Sequence, residues 1–475
     1  MCALRIGYKK VNNFVNHLTN MRFFNEIYAA IIAVIALIGW QFSNNLGMIL
    51  LTCFGTISLI FTQDLKYVIP NVLFFIFTFS TGFANDTIPI HIIILAGIFF
   101  IVVMFFSFKE GIHLRKMHSL LGLLGLALST LLPFCWTHNA PSGNEVFYFF
   151  YVSDLGYLLI YMIMVNGIRK NGVELLAVSM SYLGILITIQ CGITVWKERA
   201  EFESILQNWF HLGWGLCNEA GIMICVSIPF IFYLLGKQMK ATGIIFQHTK
   251  LLFVLVGMII TNSRGSYLFG GLEVVILYFV LFFKGKNKKL YQNLFFGFGL
   301  LVLFIMLIGK DYVIKLIDNI LKYVFDNALQ SNGRIGLYKE AYHFWGLKPH
   351  YKLFGPGITI HLYELSSALG LQLMPSVYHS TFFETLITGG IFGIAIILIH
   401  FYQKYRNLYR CDKFLFLVLG IGFLCIDAYG MIDNTYHMYY FMIPLAITMA
   451  TIDASLKSDP IELKFCPKEI YDSLF

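Results

Sequence analysis

Charged side chains are scarce in this chain. Asp, Glu, Lys and Arg make up 13% of its 475 residues, against about 25% in soluble domains. Hydrophobic residues supply 58%, and the mean hydropathy is +0.72. A water-soluble globule has nowhere to put that much apolar surface, so one is excluded. Intrinsic disorder, collagen-like repeats and a disulfide-stapled secreted scaffold are excluded with it. Metal-ligand spacing is missing too. Of nine cysteines, Cys53, Cys135, Cys191, Cys217, Cys225 and Cys425 fall in apolar runs, where cysteine acts as a small hydrophobe. Cys2, Cys411 and Cys466 sit in basic or terminal segments, and no CxxC or Cys/His pattern joins them. No small-residue cleavage site follows the first apolar run, which starts near Ile27, so no removable signal peptide is expected. The net charge of +8 does not point to nucleic acid, because the basic residues are dispersed among short loops.

What the chain does have is apolar runs long enough to cross a bilayer, which takes about 20 residues, or roughly 17 when upright. They lie near 27–43, 46–63, 67–84, 88–107, 119–136, 147–167, 172–195, 213–235, 242–262, 266–283, 292–309, 380–402, 413–431 and 437–453. The weakest is 242–262, which carries His248 and Lys250. The expected fold is therefore an all-α integral membrane protein of about fourteen transmembrane helices. Cytoplasmic loops are enriched in Lys and Arg. With the N-terminus inside and the loops alternating, 24 of the 34 basic residues fall inside, Lys250 and Lys404 among them. Both termini are then cytoplasmic.

One connection stands apart. Residues 310–379 contain no spanning run, whereas every other connection is under about 25 residues. The chain divides accordingly. Residues 1–209 form N-terminal transmembrane helices, and 210–309 form further ones around a Ser-Arg-Gly turn. An extracytoplasmic loop covers 310–379, C-terminal transmembrane helices 380–453, and a cytoplasmic tail 454–475. Within the loop, Val313, Ile314, Ile317, Ile320, Leu321 and Val324 repeat at helical spacing from Asp311 to Asn327. That helix either lies on the outer membrane surface or packs on the other spans as a lid. A second helical stretch runs from Gly333-Arg334 to Trp345, stopped by Pro349, and Leu353-Phe354-Gly355-Pro356-Gly357 is a turn signal.

An ionisable residue in a membrane segment is a functional hypothesis by default. His91, Asp154, Glu219, Arg264, Glu273, His379, Glu384, His400, Asp427 and His437 qualify. By the topology above, Asp154, Arg264, His379, Glu384 and His437 come near the outer face, beside the long loop. His400 falls at an inner helix end and reads as interfacial, and His91 reads as a packing residue. Arg264 lies in Thr261-Asn262-Ser263-Arg264-Gly265-Ser266, a break between spans. A lone arginine there can snorkel to the headgroups. Alternatively, the hydroxyls, a free backbone N–H and the guanidinium make a set of anion ligands. Arg264 and Arg334 together offer planar forks suited to phosphate oxygens, the plainer reading of Arg334 being a solvated loop charge. His379 opens the span after the loop, as His379-Ser380, nine residues, Gly390, two residues, Gly393. An imidazole at that position can accept a proton near neutral pH or serve only the structure. The two glycines permit close helix packing.

These pieces resemble the O-antigen ligase/polymerase superfamily of bacterial membrane glycosyltransferases. Its hallmark is His, then Asn, Ser or Gln, nine residues, Gly, two residues, then Gly, Thr or Tyr, directly after a large extracytoplasmic loop; His379-Ser380-x9-Gly390-x2-Gly393 fits without a gap. Ser263-Arg264-Gly265 is similar to the family's Ser-Arg-Gly segment, and Gly333-Arg334 with Leu353-Phe354-Gly355-Pro356-Gly357 is similar to its loop landmarks. Asn218-Glu219 with Pro229 matches loosely a helix that often reads Asn-Pro-Asn. The likeness spans roughly 210–400; the first five or six spans carry no motif.

The resemblance implies transfer of a glycan from a polyprenyl diphosphate to an acceptor hydroxyl, on the outer face of the cytoplasmic membrane, with no metal or other cofactor. His379 would be the base, and Arg264 and Arg334 the diphosphate ligands. Ser263, Ser380, Glu384 and Asn218 would give support. Glu384, five residues past His379, would only orient it or bind the acceptor. The partners implied are a polyprenyl-diphosphate-linked donor, a glycan acceptor, the bilayer and a chain-length regulator protein, without nucleic acid. A polymerase making O-antigen or capsule is preferred over a ligase. The chain is rich in Phe, Ile, Lys and Asn and poor in Ala and Arg, a pattern of low-GC coding found in many capsule-making bacteria. A flippase for lipid-linked oligosaccharides would instead line many helices with charge, keep its loops short and often carry an internal repeat.

Overall fold

A computed structural model gives the fold and describes residues 24–42, 44–80, 90–108, 113–114, 117–133, 143–169, 171–198, 210–308, 334–357, 378–456 and 461–462. Among the described residues the regular structure is all helical apart from one antiparallel pair of two-residue strands, His113–Leu114 with Ile461–Glu462. The reason is physical. In hydrocarbon every backbone N–H and C=O must be satisfied internally, and a helix does this within one segment.

A helix stands at each of the fourteen apolar runs. In chain order they are α1 (Phe24–Phe42), α2 (Asn44–Thr62), α3 (Leu65–Thr78, with 3₁₀ turns at both ends), α4 (Ile90–Phe108), α5 (Leu120–Leu131), α6 (Gly143–Gly167) and α7 (Val173–Lys197). Then come α8 (Cys217–Lys237), α9 (Ala241–Ile260), α10 (Ser266–Lys284, opening on a π turn) and α11 (Lys288–Ile308). The long loop contributes α12 (Arg334–Gly346) and α13 (Pro349–Phe354), and the chain continues with α14 (Thr381–Cys411), α15 (Lys413–Gly430) and α16 (Tyr439–Ser455). Eight of these helices are long and apolar enough to cross a membrane. The amphipathic helix expected at Asp311–Asn327, most of the tail and the side chain of His91 lie outside the described residues.

Helix α8 is the axis. Nearly all of it is buried, packed by α7, α9, α10 and α15. Small residues let other pairs approach closely, as where Gly39 of α1 meets Gly47 of α2 backbone to backbone.

Two lysines inside the bundle are paired. Lys250, which made α9 the weakest span, reaches Glu26 at the start of α1 and also meets Ser181 at 3.2 Å. Lys404 contacts both carboxylate oxygens of Asp427 at 2.8 and 2.7 Å and the Tyr436 hydroxyl at 2.8 Å. Neither lysine is a loop charge, so the expected orientation rests on 22 of the other 32 basic residues. His400 is corrected as well. It is fully buried, with its ring 5.7 Å from that of Tyr436.

Candidate active site

The segment before α14 is held in an unusual shape. His379 has φ of +49°, and Asn262 and His437, at the same end of the bundle, have +51° and +70°. Left-handed backbone in residues other than glycine is costly, on the order of 1–3 kcal/mol, and collects at functional sites. Two contacts fix His379. The Tyr338 hydroxyl of α12 donates to its carbonyl at 3.1 Å, and Glu384 accepts the N–H of the preceding Tyr378 at 3.0 Å. Burial raises the pKa of Tyr338, which keeps the phenol a donor. Tyr338 also stacks on Phe383, with ring centroids 4.3 Å apart.

The His379 imidazole faces a carboxylate. Its Nδ1 lies 3.3 Å from Oδ1 of Asp433, in the turn joining α15 to α16. Arg334 approaches the same carboxylate with Nη2 3.8 Å from Oδ2, while its Nη1 donates to the Ile432 carbonyl. Side-chain exposures are 31% for His379, 30% for Arg334 and 9% for Asp433, so the imidazole and guanidinium stay reachable. Asp433 itself is fixed on three sides. Its N–H donates to Tyr429 at 3.0 Å, its carbonyl accepts from the Thr381 N–H at 3.2 Å, and Oδ1 accepts from the Asn434 N–H at 2.9 Å.

The Ser-Arg-Gly turn reaches this place through Tyr429. Ser263 Oγ is 2.7 Å from the Tyr429 hydroxyl, and Gly265 lies against that ring so closely that a Cβ there would be 2.2 Å away. Arg264 is half-buried at the start of the following helical turn. The first turn of α8 also comes in: Glu219 accepts from the Leu216 N–H at 2.9 Å and is within electrostatic reach of Asp433 and His379. Its neighbour Asn218 is half-buried.

The motif glycines dock the loop. Helix α14 breaks at Gly390, which has φ +58° and ψ −151°, a combination open essentially to glycine alone. Facing it is Gly355, with φ +82° and ψ 152°. A Cβ on Gly390 would lie 2.6 Å from the Gly355 nitrogen, and one on Gly355 would lie 2.3 Å from the Ile387 carbonyl oxygen. Gly357 N–H donates to that same carbonyl at 2.9 Å. Close helix packing was expected of both glycines. Gly390 instead forms the break that receives the loop, and Gly393 packs beside it, near Ser129 of α5.

The structure thus gathers His379, Arg334, Ser263 and Glu384 around one end of α14 and α15, with Ser380 buried as the residue before α14. Glu384 is buried and braces the His379 segment. Other loose candidates serve packing: Asp154 accepts from the Thr130 hydroxyl at 2.6 Å, and Thr385 Oγ1 meets Nε2 of buried His437 at 3.2 Å. Sequence reasoning missed Asp433, Tyr338 and Tyr429. The available signal for the first was Asp433-Asn434 in a short polar turn between two apolar runs.

A bundle of apolar helices, with His379, Arg334 and Asp433 gathered at one helix end, defines an integral membrane protein with a polar site at that end. Residues 250–398 match the family model for O-antigen ligase, which supports the O-antigen ligase/polymerase superfamily. The matched stretch holds the Ser-Arg-Gly turn, the long loop and His379, and ends before Asp433. No curated protein matches the chain.

Proposed function

We propose that this protein is a metal-independent glycosyltransferase of the cytoplasmic membrane that polymerises lipid-linked repeat units into an O-antigen- or capsule-type polysaccharide. The observation that carries the reading is the His379–Asp433 pair, 3.3 Å apart beside the Arg334 guanidinium. With Nδ1 donating to the carboxylate, Nε2 is the free base, and the carboxylate stabilises the imidazolium that forms. The acceptor hydroxyl attacks the anomeric carbon of the donor, and its proton passes to Nε2. The bond from that carbon to the diphosphate oxygen breaks, and polyprenyl diphosphate leaves with the electron pair. Diphosphate is a good leaving group, and positioned cationic donors stabilise its charge. Arg334 and Arg264 take that role, each worth about 2.7–4 kcal/mol, with Ser263 and Asn218 in support. Ser380 and Glu384 hold the histidine in place.

Fourteen crossings, both termini inside and the site outside complete the reading, on the strength of the basic-residue asymmetry. A chain-length regulator would then meet the protein at the outer face. The name of the matching family favours a second reading, transfer of a finished glycan to another acceptor. The test is to incubate purified protein with a short-chain lipid-linked repeat unit and separate the products by gel. A ladder means polymerase and a single shift on a second acceptor means ligase. No covalent product would sink both.

A further inference from the structure

Among the described residues, three buried side chains, Glu273, His400 and Asn434, hold both of their polar atoms without a hydrogen-bond partner. Glu273 and His400 lie among helices and belong to groups that can lose their charge when buried. An amide has no such escape, so its dipole stays unsatisfied until something binds it. Asn434 is 2% exposed and follows Asp433 directly in the chain. Its backbone is fully used: the N–H donates to Asp433 and the carbonyl accepts from the Tyr440 hydroxyl at 3.1 Å. Next to it, the Thr435 N–H donates to the Thr381 hydroxyl at 3.2 Å. The backbone is therefore fixed on both sides of this side chain, within one residue of the His379 contact.

We infer that the Asn434 side chain is a specificity-determining contact to a sugar hydroxyl beside His379, resting on the glycosyl-transfer reading above. Chemistry selects the ligand. The amide offers donors at Nδ2 and an acceptor at Oδ1, in either flip state. Phosphate oxygens at neutral pH only accept and would leave Oδ1 unpaired. Asp433 and Glu219 would also repel an anion at this position. A pyranose hydroxyl both donates and accepts, is neutral, and is the group next to the reacting carbon or the attacking oxygen. The Asn434 amide thus reads the sugar, and the arginines take the diphosphate.

The test uses full-length protein and the lipid-linked repeat unit, prepared as a set in which each hydroxyl in turn is replaced by hydrogen. A repeat O-methylated at its acceptor position serves only as donor, and a repeat on a methyl glycoside serves only as acceptor, so the two arms locate the sugar that is read. In one arm, a single deoxy position should lower kcat/KM about 10- to 100-fold for the wild type. The same position should cost Asn434→Ala little, because the partner is already gone. Asn434→Leu, which fills the space without the amide, should melt at or above the wild-type temperature while losing that discrimination. If every deoxy repeat costs both proteins the same, or if Asn434→Leu melts lower with discrimination intact, the amide serves structure and the inference is overturned. If the wild type forms no glycosidic bond with any repeat, the transferase reading itself fails first.

Discussion

Two sets of charges in this molecule look alike in the sequence and differ in the fold. Lys404 with Asp427, and Lys250 with Glu26, sit inside the bundle with their partners supplied by neighbouring helices. Arg334, His379 and Asp433 sit at a helix end, where two of the three keep nearly a third of their side-chain surface exposed. The first set is closed and the second is open. A buried pair can hold helices in register, but a catalytic base or a charge that binds diphosphate must be reachable. An intramembrane charge is thus a functional hypothesis only until its partner is known.

The comparison breaks most sharply at His379. His379→Ala should lower turnover about 10²–10⁴-fold without lowering the melting temperature, measured on the purified protein with a lipid-linked repeat. His379→Gln keeps size and hydrogen bonding but accepts no proton, so wild-type turnover by it would leave the histidine only a positioning role.

The closed set should behave the opposite way. Lys404→Met leaves Asp427 buried without its cation and should cost about 3–5 kcal/mol of stability, read by thermal unfolding in detergent. Adding Asp427→Leu should recover most of that loss. A single variant as stable as wild type would mean the pair is not what joins α14 to α15.

Gly390→Ala tests what binds the open set to its loop. The left-handed backbone alone costs on the order of 1–3 kcal/mol, and the new methyl would also collide with Gly355. The loop should undock from α14, raising protease sensitivity near 355–357 and lowering turnover.

Acid should act through the turn that carries Asp433. His437 lies in that turn, outside the helices, and burial lowers its pKa to about 4. The unfolded chain binds this proton more readily, so stability is full above about pH 6.5 and falls as pH drops toward 4. At pH 5.5 the loss should be about 1.4 kcal/mol, and His437→Gln should flatten that part of the stability curve.

The smallest effect is expected from Arg264→Lys and Arg334→Lys, about 10-fold in turnover each. A lysine keeps the charge but lacks the fork with which Arg334 meets both Ile432 and Asp433. If both variants turn over normally, the arginines are not bidentate ligands.

Much of this was legible in the chain. Apolar runs of the right length call for helices because lipid leaves the backbone no other partner, and a helix duly stands at each of the fourteen. The His379 motif, the Ser-Arg-Gly turn and the Gly-Pro-Gly loop could be read because each is local, its spacing set by a turn or a helix end. What the sequence could not give was partnership across long separations. Asp433 lies 54 residues from His379 and 99 from Arg334, so nothing in the local pattern marks it. The same holds for Lys404 and Lys250, which read as loop charges until helices far along the chain supplied Asp427 and Glu26. Apolar periodicity depends on neighbours a few residues apart, so the sequence alone determined the helices. Which charge meets which is decided by the packing of helices distant in sequence, and only the tertiary structure could separate the open site from the closed pairs.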